Sequence, residues 1–596
     1  MTVRWLCGLV LGAGLGFAVP AMGADPLPGT PARAILEEWQ PENTDSVERF
    51  LHVIAWTPSD REFPAEHHPR LSRMLRHIQA FYAAEMGRHG FAERGFQLQR
   101  EGEQVVIHDI HGLHPDSHYG KKSGNEIRRE CGDILSKKGI NVDRETIAIF
   151  CNLATWDDKG LRFSHKSPYY AGGSVFDGTA WQLDSPELDT ENLKLKAPMI
   201  QDGEYGRISL GRHNSIFIGG MAHELGHAFS LPHCTARPDE AVRGSALMGS
   251  GNRTYGEEIR GEGQGTFLSF AHALRLASHP QFSGKMPRER RPKSSTVDNL
   301  EIRADGKAIT VSGRVSGEPP VYGVVAYFDP EGNDDYNATT AATVPAKDGT
   351  FSLRSDALER GKKGMLRLYP LHVNGVPGTD AAQSRLRFSY EIAKDGTPDV
   401  SAIETRLALV PIVEAIAKGD AARARTLKGS LKSKGAAAVA AELLSTKPPT
   451  ETPAQFKGKG KEASLTSFRA TSAKVGWMQP AFNRIPEESV LLEAGGEIFA
   501  TGIYAHAPAR HEYDLGGDWK TFTGKVGLAS GHGGSVEFEV RGDGRSLWKS
   551  AVVRDGAPVS FDVRVEGVKQ LELLVSPTDD GPGSDWGLWL EPTLTR

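Results

Sequence analysis

SIFIGGMAHELGHAFSLPHC, residues 215–234, places three histidines, His223, His227 and His233, around one acid, Glu224. Residues four apart share one face of a helix, so His223 and His227 aim their imidazoles at a single point. Glu224 lies next to His223 but points toward the open side, where a carboxylate reaches an attacking water without becoming a ligand. Pro232 cannot continue a helix, so the pattern predicts a stop near residues 230–232 and a turn that brings back His233. Three protein ligands leave one coordination position open, as catalytic rather than structural zinc sites do. Zinc acidifies water and polarises carbonyls, and Glu224 is placed to take the proton. A core helix with incidental histidines is the alternative reading, and the third histidine six residues further on argues against it.

Working outward, FLHVIAW (50–56), QVVIHDI (104–110) and ETIAIFCNL (145–153) read as strands. Between them, residues 70–87 put Leu71, Met74, Leu75, Ile78 and Phe81 on one helical face, and a second helix is expected over 126–138. This order predicts a mixed α/β sheet packed by helices over residues 35–285. The basic stretch KMPRERRPKSST (285–296) reads as a linker. The alternating runs AITVSGRV, VYGVVAYF, TFSLRS, GMLRLYPLHV and RLRFSYEI then predict an Ig-like β-sandwich over 295–393. Residues 398–446 read as a short helical hairpin, KPPTETPAQFKGKGKE as a flexible linker, and 463–596 as a second β-rich unit.

Bulk properties narrow the function. Lys plus Arg number 70 against 75 for Asp plus Glu, so no charge excess points to nucleic acid as a partner. Residues 1–24 have the layout of a signal peptide, one positive charge before an apolar run that ends in small residues. No later stretch is long and apolar enough to span a membrane, so the expected location is secreted or periplasmic. Cleavage leaves Cys131, Cys151 and Cys234, an odd number whose pairing stays open.

HELGHAFSLPH resembles the metzincin motif HExxHxxGxxH, and SALMGSG (245–251) resembles the loop that sets a methionine beneath the metal. The resemblance implies a metzincin-like zinc endopeptidase domain with Zn2+ on His223, His227 and His233, Glu224 as catalytic base and Met248 as the Met-turn residue. It also implies a peptide substrate lying along an edge strand, for which GGSVFDGTAWQL (172–183) is the candidate. Three departures stand out. Ser230 replaces the turn glycine, so the turn is expected to be built differently. Tyr255 is only a weak candidate for the transition-state stabiliser that usually follows the methionine. Cys234 directly after the third ligand is unusual. A rival ligand set would use Glu257, Glu258 or Glu262 in place of His233. His108, His111, His114 and His118 form a further cluster, read as a polar loop after a strand.

GIYAHAPARHEYDLGGDWKTFTGKVGL (502–528), GSVEFEVRGDGRSLWKS (534–550) and GSDWGLWLEP (583–592) resemble the NPCBM carbohydrate-binding-module family. This implies a jelly-roll or galactose-binding-like sandwich over 463–596, with Trp586 and Trp589 as glycan-binding candidates. The combined expectation is a secreted zinc metalloendopeptidase acting on protein or glycoprotein. The alternatives are a general metalloprotease whose C-terminal unit is structural or protein-binding, and a non-catalytic adhesin.

Overall fold

The structure, a computed structural model, describes residues 27–596 except 47, 333–334, 380–384, 433, 446–448, 459, 487–490 and 531. The signal-peptide segment 1–24 lies outside the described residues.

Five strands build the sheet that carries the histidine helix: β1 (Phe50–Thr57), β2 (Ile107–His111), β3 (Thr146–Cys151), β4 (Tyr170–Gly173) and β5 (Gly178–Leu183). Their order is β4-β5-β3-β1, with β2 and the short strand Gln97–Leu98 both pairing with β1. Only β4 runs antiparallel to its neighbour. Strands β3 and β5 are buried at every residue, which suits parallel strands covered on both faces. Side-chain alternation divides the two layers. Val53, Ala55, Ala148, Phe150 and Ala180 face a core shared with α1 (His67–Arg88) and the histidine helix. Ile54, Trp56, Ile147, Ile149 and Trp181 face α2 (Gly124–Leu135).

The histidine helix, α3 (Leu210–Ala228), starts at Ser209, whose side chain accepts the Arg212 N–H. It is buried along almost its whole length, and its end lies against the β4–β5 hairpin. A β-carbon on Gly178 would collide with the Ala228 carbonyl oxygen, so only glycine admits this approach. The expected substrate edge is therefore corrected: Gly172 and Gly173 lie on the edge strand, but Gly178–Leu183 is an interior strand paired on both sides.

The second unit is a sandwich, as expected. β6 (Ser294–Asp305), β7 (Ala308–Glu318) and β10 (Thr350–Ser355) form one sheet. β8 (Val321–Pro330), β9 (Thr339–Thr343), β11 (Lys363–His372) and β12 (Arg387–Ile392) form the other, with Pro398–Asp399 at its edge. It is not a separate bead on a linker. On β8, Val324, Ala326 and Phe328 enter the sandwich core. Tyr322, Val325 and Tyr327 enter the core of the first unit, where the Tyr322 hydroxyl donates to the Leu274 carbonyl. A shared apolar core fixes the two units against each other.

Residues 401–445 form three helices rather than a hairpin: Ser401–Ala417, Ala421–Gly429 and Lys434–Ser445. The following stretch is not a free linker either. Thr452 is buried, and the Phe456 ring stacks beside Trp519 in the C-terminal unit. That unit is a sandwich of two six-stranded sheets, and it meets the helices through Leu491, Ile498 and an Arg406–Glu493 ion pair of 3.1 Å.

A buried ion pair ties α1 to the end of β5. Arg70 Nη2 lies 2.6 Å from Asp184 Oδ1, and both side chains are buried. Removing one partner strands a buried charge, so Asp184→Ala is expected to destabilise the first unit by about 3–5 kcal/mol. Urea denaturation checks this, and a loss below about 1 kcal/mol would mean that Arg70 finds another partner.

Candidate metal centre

Helix α3 ends at Ala228, one residue beyond His227. Ser230 takes φ +68°, its N–H donates to the His227 carbonyl (2.9 Å), and the Leu231 N–H donates to the Gly226 carbonyl (2.9 Å). This is the Schellman closure of a helix, with serine in the place that usually holds glycine. The expectation of a differently built turn is thus corrected. Arg275 steadies the strained residue by donating to the Ser230 carbonyl at 2.9 Å. The chain then reverses at Pro232 and delivers His233, after which the Cys234 N–H donates to the Met248 carbonyl at 3.1 Å.

The three imidazoles converge. His227 Nε2 is 3.2 Å from His223 Nε2 and 2.9 Å from His233 Nε2. Each Nδ1 is committed on its outer side: to the Leu247 carbonyl for His223 (2.7 Å), the Leu231 carbonyl for His227 (2.8 Å) and the Asp335 carboxylate for His233 (2.6 Å). Carbonyl and carboxylate oxygens accept only, so each Nδ1 carries the hydrogen and each Nε2 presents a lone pair inward. Three lone pairs facing one another repel unless a cation lies among them. A tetrahedral zinc with bonds of about 2.0–2.1 Å would separate its nitrogens by about 3.3 Å, close to the spacing found. Burial, then the neighbouring imidazoles, pushes His223 down to about 3 and His227 down to about 4, so both stay neutral and able to ligate.

Met248 is fully buried under the ligand helix, and a β-carbon on Gly226 would collide with its sulfur. Glu224 is 9% exposed, and burial pushes its carboxyl up to about 8. Tyr336 lies beside the histidines and is part-exposed. Its ring stacks on His233 with 3.6 Å between centroids and lies parallel to His223 at 6.2 Å. Asp335 and Tyr336 both come from the loop between β8 and β9 of the sandwich, and the Thr235 N–H donates to the Ala338 carbonyl of the same loop at 2.7 Å. No sequence pattern marks these two residues, because the loop belongs to a unit read as separate.

The other expectations resolve individually. Tyr255 is buried against Gly219 of α3 and packs on His77 and Phe81, so it is no candidate for the open face. Glu262 pairs with Arg260 at 2.7 Å, Glu257 lies 3.9 Å from Arg212, and Glu258 lies beside Gly265, so none joins the histidines. Cys131, Cys151 and Cys234 are free and buried, and burial pushes the Cys234 thiol up to about 12, which leaves it protonated beside Ser269 and His272. The His108–His118 cluster divides: His108 meets Lys138 and His111 packs edge-on to Phe63, while His114 and His118 stay together at 4.2 Å between centroids, with His118 on Glu126, in a surface group whose donor atoms lie within 4.8 Å of one another. A separate surface group joins His67 and His68 to Asp109 at 3.0 and 2.8 Å. In the C-terminal unit, Trp586 is 8% exposed and stacks on His532 at 4.3 Å. Trp589 is 0% exposed and packs on Phe538 and Phe561, so its ring is core and offers no face to a sugar. No helix among the described residues is long and apolar enough to cross a membrane.

Comparison with known proteins adds the following. Residues 461–595 match the NPCBM/NEW2 domain family. The chain thus carries an NPCBM carbohydrate-binding domain at its C-terminal end. A curated relative named "Putative endo-alpha-N-acetylgalactosaminidase", from Renibacterium salmoninarum, is 32% identical over 101 residues, 16% of this chain. The chain spans about 7% of the length of that relative. Among solved structures, wild-type OgpA from Akkermansia muciniphila is 27% identical over 59% of this chain and 95% of that chain, with a TM-score of 0.48. The M60 catalytic domain with two CBM51 domains of ZmpB from Clostridium perfringens is 14% identical over 65% and 40%, with a TM-score of 0.23.

Two outcomes are expected at this centre. Elemental analysis of the dialysed chain should find about one zinc, lost in His223→Ala or His233→Ala. Ser230→Gly should leave zinc content unchanged and stabilise the first unit by about 1 kcal/mol, since it relieves a left-handed serine. A destabilised Ser230→Gly would show that the serine side chain contributes more than its backbone strain costs.

Proposed function

We propose that this chain is an exported zinc-dependent endopeptidase that cuts peptide bonds in glycoproteins. The observation that supports it most is the convergence of three Nε2 lone pairs beside one buried, unshared carboxylate. Zinc on His223, His227 and His233 would supply Lewis acidity toward a carbonyl oxygen and toward water. Glu224 takes the proton of the attacking water and returns it to the amide nitrogen as the C–N bond breaks, so acid and amine leave with one water consumed. The apolar floor under Met248 excludes water from beneath the histidines. Glycosidic cleavage fits the centre less well, because most glycosidases place a second carboxylate across the scissile bond. Asp335, which touches the ligand set, is committed to His233.

The glycoprotein half of the reading rests on the NPCBM domain, with Trp586 as its candidate sugar-stacking residue. A module that holds glycan raises the local concentration of substrate without changing the chemistry. The expected location, secreted or periplasmic, rests on the sequence of residues 1–24.

Glu224→Gln is expected to keep zinc and fold while lowering kcat on peptide or glycopeptide about 10²–10⁴-fold. Product sequencing and metal analysis check this together. Near-full activity in Glu224→Gln would remove the mechanism, and wild-type chain that holds zinc but cuts nothing would favour an adhesin. Trp586→Ala is expected to weaken glycan binding in calorimetry and leave cleavage of unglycosylated peptide unchanged. Unaltered glycan binding would reassign Trp586 to packing.

A further inference from the structure

We propose that the β-sandwich domain is part of the catalytic centre, with Asp335 as the positioning residue that fixes His233 and Tyr336 as the residue that hydrogen-bonds the substrate carbonyl oxygen in the transition state. The inference rests on the peptidase reading for Tyr336 and only on the metal site for Asp335.

The geometry for Asp335 is direct. Two of the three ligand histidines are oriented by backbone carbonyls of the first unit itself, Leu247 and Leu231. The third has its Nδ1 on a carboxylate of the next domain, at 2.6 Å. A carboxylate behind a ligand imidazole fixes the tautomer and raises the basicity of the other nitrogen. Asp335 is itself held in place. Its second oxygen meets Arg367 Nη2 at 3.4 Å, and the same guanidinium pairs with Asp329 at 3.1 Å. Arg367 also lies over the Tyr327 ring, on the strand face that packs into the first unit. Asp335 has φ +59°, an uncommon backbone state for any residue but glycine. A strained residue held from several sides at the tip of a loop, with its carboxylate on a metal ligand, is what a positioning role requires.

Tyr336 follows in the chain. Its ring lies on His233 and is 47% exposed. Met248 is sealed from solvent, whereas Tyr336 is open to it. The same imidazoles carry Glu224, the neighbour of His223 on the helix, and Tyr336, stacked on His233. A carbonyl oxygen that gains charge there needs a donor fixed in advance, and a phenol O–H supplies one without moving a proton away from Glu224. The short spacing after the methionine holds no tyrosine that faces this space, because Tyr255 is buried elsewhere.

The consequence is that the first unit alone is incomplete, and the apolar seam through Tyr322, Val325 and Tyr327 serves to hold a catalytic loop in register.

The test uses the full chain with Asp335→Ala, Asp335→Asn and Tyr336→Phe. Zinc affinity is read by competition with a chromogenic chelator, and kcat and KM on a peptide or glycopeptide that the wild type cuts. Asp335→Ala should bind zinc about 10–100-fold more weakly, with Asp335→Asn between it and wild type. Tyr336→Phe keeps the stacked ring and should keep zinc affinity and KM within about threefold, while kcat falls about 10²-fold or more. Asp335→Ala with zinc affinity within twofold of wild type, or Tyr336→Phe with kcat within threefold, would overturn the corresponding role. If the wild type cuts no substrate, the peptidase reading fails, and the zinc titration of Asp335→Ala still decides whether the sandwich supports the metal site.

Discussion

The centre depends on three hydrogen bonds made on the outer side of the histidines. Each imidazole is oriented by what its Nδ1 donates to, and only then do the Nε2 lone pairs meet at one point. Two of these acceptors are backbone carbonyls, Leu247 just before Met248 and Leu231 in the helix-closing turn. Helix, turn and methionine loop therefore form one device. The helix sets two histidines a turn apart, the left-handed Ser230 returns the chain, and Cys234 pins that return to Met248. The third acceptor, Asp335, lies in another domain, so the orientation of His233 is tied to the interface between the first two units.

Much of the site was legible in the sequence, because its ligands lie within eleven residues and obey helical spacing. The mixed sheet was legible for a similar reason: FLHVIAW is apolar except for His52, and IAIFC (147–151) is wholly apolar, as suits strands covered on both faces. What escaped was long-range. Asp335 and Tyr336 lie about a hundred residues from His233, in a hairpin loop with no periodicity to mark it. One signal was present and misread. VYGVVAYF has no polar alternation, so a half-exposed sandwich strand could not account for it, and both of its faces prove to be buried. The Ser230 turn shows the opposite error, where a residue preference was weighed too heavily against a helix end that Arg275 and two backbone bonds stabilise.

The tryptophans illustrate how composition overstates function. Trp586 and Trp589 lie in one short segment and look equivalent in sequence. On a strand, residues three apart point to opposite sides, so one ring stacks on His532 near the surface while the other is sealed between Phe538 and Phe561. The stretch before this domain, rich in Lys, Gly and Pro, docks through Phe456 instead of swinging free. With Arg406–Glu493 it links the module to the helices, so the four units form a continuous chain of contacts from metal centre to carbohydrate-binding domain.

The most direct measurement of the central claim is zinc K-edge X-ray absorption on the purified full-length chain. The account expects one zinc per chain with a first shell of about four light atoms near 2.0 Å, multiple scattering from three imidazoles and no sulfur. A sulfur shell near 2.3 Å, which would bring Cys234 to the metal, or scattering from fewer than three imidazoles would contradict it.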